Sequence, residues 1–197
     1  MYKAPVEEIA FTLKHIAGLS KAIEDGKLKG SESLPVAMTL KVGGLDVSVT
    51  YAVPRKGIPS AVSFRKWVAA ALDSRIREAD LAVRIVGTKE GRALNRHYRG
   101  KDYATNVLSF PAEMPEGLPE GVHLPLLGDV VLCAPVVARE AREQKKPLAE
   151  HYAHLTVHGA LHLLGWDHED EKEALCMEQL EREILAGMGI DDPYNEA

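Results

Sequence analysis

Residues 158–168 read His158-Gly159-Ala160-Leu161-His162-Leu163-Leu164-Gly165-Trp166-Asp167-His168. Residues four apart on an α-helix are separated by about 40° around its axis, so His158 and His162 project from one face and can share a metal ion. Gly165 accepts the left-handed turn that ends a helix, and such a turn can bring His168 back as a third nitrogen ligand. Three protein ligands leave a fourth position for water, which marks a catalytic rather than a structural site, and an all-imidazole set favours zinc over magnesium or calcium. One or two helical histidines are ordinarily packed or solvated. Three at this spacing around a glycine point instead to one Zn2+ per chain held by His158, His162 and His168. His151 and His154 lie on nearly the same helical face and are expected to pack or to orient their neighbours rather than to ligate.

Outward from this stretch, the motif helix spans 148–164, set off by Pro147 and ended by Gly165. Before it, Pro135 sits where a first-turn proline is tolerated and a helix follows over 136–144. After it, Asp170 with Glu173 three residues on forms an acidic variant of the capping box. The last helix then buries Leu175, Leu180, Ile184 and Leu185 before Gly187 and Gly189 stop it. Toward the N-terminus, strands are expected over 47–53, around Leu81, Val83 and Ile85, over 107–110 and over 126–133. A helical stripe of Phe64, Trp67, Val68, Ala71, Leu72 and Ile76 follows the first strand, and a short helix over 89–98 ends at Gly100. Residues 112–124, broken by Pro115, Gly117, Pro119 and Gly121, read as a surface loop.

The sum is an α+β domain over 45–197, a small mixed sheet of about four strands covered by helices, with the zinc site on a central helix and its following turn. Residues 1–44 read as an N-terminal appendage: apolar residues from Ile9 to Ile23 at helical spacing, then a Gly-, Lys- and Ser-rich stretch, with no recognisable chemistry.

A chain of 197 residues with 46% hydrophobic residues fits one domain with a real core. It has no apolar run of the roughly eighteen residues a membrane span needs, and Lys3, Glu7 and Glu8 interrupt the segment where a signal peptide would be apolar. A cytoplasmic protein without membrane attachment is expected. Cys133 and Cys176, far apart and outside any CxxC pair, are expected to be reduced core thiols. A net charge of −5 gives no global nucleic-acid footprint, so contact with RNA has to come from a local patch. Arg92, Arg96, Arg99 and Lys101, with His97 and Tyr98 interleaved, form one such cluster, although clusters of this kind on a short helix are usually a solvated face.

The histidine spacing is also that of the metzincin peptidases, HExxHxxGxxH, whose glutamate activates water. Here that position is Gly159, which cannot take a proton, so a peptidase keeps its metal geometry and loses its base.

The stretch HGALHLLGWDH resembles the signature of the YbeY family. In the same order, Leu94-Asn95-Arg96-His97-Tyr98-Arg99-Gly100-Lys101-Asp102, Thr105-Asn106-Val107-Leu108-Ser109-Phe110-Pro111, Leu127-Gly128-Asp129-Val130-Val131 and Asp192-Pro193-Tyr194 resemble its other blocks. The resemblance covers the chain from about Leu45 onward. It implies a zinc-dependent, single-strand-specific endoribonuclease acting in 3′-end maturation of small-subunit (16S) ribosomal RNA and in ribosome quality control. It also implies that Arg99 is a catalytic residue, whose guanidinium would hold phosphate oxygens bidentately and stabilise transition-state charge. Zinc would lower the pKa of its water and polarise a phosphate oxygen. Two nucleophiles are open, zinc hydroxide acting on phosphorus and the RNA 2′-hydroxyl.

Beside single-stranded or ribosomal RNA, the small ribosomal subunit or an assembly factor is an expected partner, because an acidic chain needs help in finding RNA. Two alternatives stand next to this one: a metallopeptidase on the same three histidines, and a non-catalytic ribosome-assembly factor with structural zinc. Asp167 is expected either to orient a ligand imidazole or to cap the turn. Thr105, Asn106 and Ser109 either contact substrate or finish the loop and strand, and Lys145 and Lys146 read as a solvated helix end.

Overall fold

The computed structural model describes residues 44–73, 75–76, 78–113, 125–167 and 170–195. The N-terminal appendage up to residue 43, most of the expected 112–124 loop and His168 lie outside the described residues.

Four strands, β1 (Leu45–Tyr51), β2 (Ala79–Val86), β3 (Val107–Pro111) and β4 (Leu126–Cys133), form one sheet in the order β1-β2-β4-β3. β1, β2 and β4 run parallel, and β3 lies antiparallel on the edge beside β4. The sheet is therefore small and mixed, as the sequence implied. Parallel neighbours need a crossover, and α1 (Ala61–Leu72) supplies it between β1 and β2. The Ser60 hydroxyl caps α1 by accepting from Ser63 N at 3.3 Å, which is why the helix opens before Phe64, where the apolar stripe starts.

The other helices are α2 (Thr88–Arg99), α3 (Ala134–Glu143), α4 (Leu148–Leu163) and α5 (Glu171–Gly187). Asp170 caps α5, its carboxylate accepting from Glu173 N at 2.8 Å. Among the described residues no helix is long and apolar enough to cross a membrane.

The core lies between the sheet and the pair α1 and α4. Phe64 of α1 is fully buried and meets Trp67 and Tyr152 of α4 edge-on, with ring centroids 5.2 and 5.7 Å away. Burial of a side chain of this size contributes on the order of 2 kcal/mol, so these rings anchor the helix that carries the histidines.

Two expectations about the core need correction. Cys133 is buried, but Cys176 is exposed. On α5 the buried positions are Met177, Glu181, Ile184 and Leu185, while Leu175 stands 59% exposed. The face that packs is set by Met177, Glu181 and Ile184, spaced four and three apart, and Leu175 falls outside that stripe.

α4 lies close against the sheet at Gly159. A Cβ there would stand 2.8 Å from Val130 Cγ1 and 3.1 Å from Ser109 Oγ. The Ser109 hydroxyl donates to Gly159 O at 3.0 Å, tying edge strand β3 to the helix. With residue 159 turned onto the sheet, His158 is left partly exposed on the helix.

Candidate metal centre

His151, His154, His158 and His162 occupy successive positions along α4, spaced three or four residues apart. His151 is buried, with Nε2 3.0 Å from Glu140 Oε2 and, among the described residues, no hydrogen-bond partner for Nδ1. It packs, as its position in the sequence suggested.

Farther along, His158 and His162 bring their Nε2 atoms to 3.1 Å from each other. His158 Nδ1 lies 2.8 Å from Glu181 Oε1. His162 Nδ1 lies 2.9 Å from the Trp166 backbone carbonyl. A carbonyl and an ionised carboxylate only accept, so in both rings Nδ1 carries the proton, and in a neutral ring Nε2 then presents a lone pair. Two lone pairs directed into the same few ångströms repel unless a cation lies between them. Ligand nitrogens about 2.0–2.1 Å from a tetrahedral zinc ion stand about 3.3 Å apart, so the separation of this pair fits such an ion.

The turn after α4 supplies the acceptor for His162. Gly165 takes φ +87°, a conformation that costs glycine little. Trp166 N then donates to Leu161 O at 3.1 Å, and Gly165 N to His162 O at 3.0 Å, the closure that ends many helices. The Trp166 carbonyl is thereby turned to His162. Asp167 stands 4.0 Å from the same Nδ1, so it is the backbone of the turn that makes the shorter contact.

Behind His158 lies a buried polar cluster that the sequence analysis did not find. Glu181 has no solvent exposure. Its Oε2 lies 2.9 Å from His154 Nε2 and accepts a short hydrogen bond from the Tyr194 hydroxyl. Burial alone would push this carboxyl up, but hydrogen bonds and charge from His154 and His158 outweigh it and bring the value down to about 2. Burial and the neighbouring Glu181 carboxylate push the Tyr194 phenol up.

Among the described residues, His154, His158 and Glu181 form a group that could hold a metal ion, their ligand atoms lying within 4.8 Å of one another. This group shares His158 with the His158–His162 pair. Its carboxylate is already surrounded by three donors, which favours the converging imidazoles as the metal seat and the carboxylate as their support.

Arg99 is the last residue of α2 and is exposed, just before Gly100 turns the chain at φ +68°. Among the described residues it makes no hydrogen bond or ion pair. Arg92, by contrast, holds Asp102 through two hydrogen bonds, at 2.9 and 2.6 Å. Arg96 lies 4.0 Å from the same carboxylate. Tyr98 is half exposed and tilts against the Phe110 ring at 4.8 Å.

The loop residues finish structure. Asn106 Oδ1 accepts from Val107 N at 2.7 Å, and its Nδ2 donates to Glu140 Oε2 at 3.0 Å. Thr105 Oγ1 is 3.3 Å from Asn106 Oδ1. Lys146 departs from the expected solvated helix end: its ammonium donates to the Pro193 carbonyl, while Lys145 is exposed.

The endoribonuclease YbeY family profile matches residues 55–189. A relative from Xanthomonas axonopodis pv. citri, named endoribonuclease YbeY, is 80% identical over 150 residues, covering 76% of this chain and 93% of the relative. One of the same name from Stenotrophomonas maltophilia is 78% identical with the same coverage. A solution structure of TM1509 from Thermotoga maritima is 22% identical, covers 76% of this chain and 99% of that one, and aligns with a TM-score of 0.47.

Proposed function

Since the chain belongs to the YbeY family, we propose that it is a zinc-dependent, single-strand-specific endoribonuclease with His158, His162 and His168 as metal ligands and Arg99 as catalytic residue. The observation that carries this reading is the 3.1 Å approach of His158 Nε2 and His162 Nε2, with the other nitrogen of each ring committed to a protein acceptor. A bound zinc ion supplies Lewis acidity toward a phosphodiester and toward water.

The chain's own residues do the rest. Glu181 and the Trp166 carbonyl hold the two imidazoles in one tautomer. Arg99, with no carboxylate partner among the described residues, presents its guanidinium to a phosphate, a geometry in which arginine binds two oxygens at once. Tyr98, half exposed beside it, offers a ring on which an unpaired base stacks. The domain that does this runs over 45–197, with 1–44 as an appendage; the family match to 55–189 supports that boundary.

The activity belongs in the cytoplasm, in 3′-end maturation of 16S ribosomal RNA and in ribosome quality control. With a net charge of −5, the chain gains its approach to ribosomal RNA from the small subunit or an assembly factor rather than from its own field.

The metallopeptidase alternative loses ground on one observation. A side chain at residue 159 would meet Val130 and Ser109, so the position of the peptidase base faces the sheet. The test is a substrate comparison with zinc-loaded protein: a single-stranded 16S 3′ fragment, the same fragment in a duplex, and unfolded casein. Cleavage confined to the single strand is expected. Cleavage of casein alone overturns the nuclease in favour of the peptidase, and no cleavage of any substrate favours the assembly factor.

A further inference from the structure

Resting on the zinc reading above, we propose that Glu181 is a positioning residue of the metal centre: through His158 it sets the ligand's tautomer and ring plane, and Tyr194 and His154 hold the carboxylate in place. The side chain occupies a core position of α5, between Met177 and Ile184 on the buried stripe. An apolar residue would pack there at no electrostatic cost, whereas a carboxylate without solvent has to be matched by donors. Three are present. His158 Nδ1 stands 2.8 Å from Oε1, His154 Nε2 stands 2.9 Å from Oε2, and the Tyr194 hydroxyl donates to Oε2.

The two ligand imidazoles are thus supported unequally. His162 gives its Nδ1 proton to the neutral Trp166 carbonyl, with the Asp167 carboxylate 4.0 Å away, while His158 gives its own directly to a buried carboxylate. Tyr194 brings the C-terminal segment into the same assembly. Arg182 of α5 lies over the Tyr194 ring at 4.7 Å and reaches Asp192 at 3.3 Å. Asp192 in turn accepts from Tyr194 N at 2.9 Å. The Asp192-Pro193-Tyr194 block is therefore pinned to α5 so that its phenol reaches Glu181, which gives that block a part in the site some 30 residues beyond the histidines.

The experiment is zinc competition with a chromophoric chelator on metal-free wild type, Glu181→Gln and Tyr194→Phe, with circular dichroism as fold control. It is joined by nitrogen-proton correlation spectra of the histidine rings in the metal-free proteins. Glu181→Gln is expected to weaken zinc binding by about 10- to 100-fold and to raise the fraction of His158 protonated at Nε2. Tyr194→Phe, which removes one of three donors, is expected to weaken it by about threefold. A part confined to folding would lower stability and leave both zinc affinity and the His158 tautomer as in the wild type, and that result overturns the proposal.

Should Glu181→Gln fail to fold, Tyr194→Phe decides: unchanged affinity and unchanged tautomer overturn it. A wild-type chain that takes up no zinc, or takes it up equally after His158→Ala and His162→Ala, overturns the zinc reading itself and this proposal with it.

Discussion

Gly159 of α4 lies so close to Val130 of β4 that a Cβ at residue 159 would stand 2.8 Å from the valine Cγ1. In an isolated helix, alanine would be better than glycine by about 1 kcal/mol. Here overpacking against the sheet opposes that gain, at about 1–3 kcal/mol for an inserted methyl in a tight core. Gly159→Ala is therefore expected to lower the urea midpoint without changing the slope, and Gly159→Glu to fail to fold. A more stable Gly159→Ala protein would mean that α4 is not seated as described.

Arg99 is exposed at the end of α2, so its removal is expected to leave stability within about 0.5 kcal/mol. If its guanidinium stabilises transition-state charge, Arg99→Ala loses about 10²- to 10³-fold in the rate of RNA cleavage. Zinc content is expected to stay at the wild-type value. Arg99→Lys recovers only part of the rate, because an ammonium cannot bind two oxygens in a fork.

Acid sensitivity is expected at Glu140. Burial pushes its carboxyl up, but hydrogen bonds from His151 and Asn106 outweigh this and hold it below the usual value. A folded-state pKa below the unfolded one gives stability that is complete above the unfolded value and is lost as pH falls through the folded value. Glu140→Gln is thus expected to be about 1–2 kcal/mol less stable than wild type at neutral pH, with the gap closing below about pH 4. Chemical denaturation at pH 7 and pH 3.5 measures it.

Phe64→Ala removes the ring that α1 sets against Tyr152 of α4. A cavity of this origin costs about 3–5 kcal/mol. Zinc per folded chain is expected to be unchanged, because the substituted ring touches the helix from the side of the core. Equilibrium denaturation followed by metal analysis of the folded fraction separates the two effects.

The strand and helix elements were legible because their apolar residues keep period: β4 falls where 126–133 was expected, and α4 within one residue of its expected end. His158 and His162 were legible for the same reason, since a spacing of four places two side chains together whatever surrounds the helix. Glu181 was not. It reaches His158 from another helix 23 residues on, a distance in sequence that only packing closes. Its signal was present as a carboxylate on the apolar stripe with Met177 and Ile184, a stripe masked by the nearby Leu175 and Leu180. The part of Trp166 was hidden in another way, because the group of it that meets His162 is its backbone carbonyl, which no residue type announces.

The most direct test of the account is cleavage of a labelled single-stranded 16S ribosomal RNA 3′ fragment by metal-quantified wild type, His162→Ala and Arg99→Ala. One zinc per wild-type chain, cleavage lost in both variants, and zinc lost only in His162→Ala are the predicted result. Cleavage that persists unchanged in folded, zinc-free His162→Ala would contradict it.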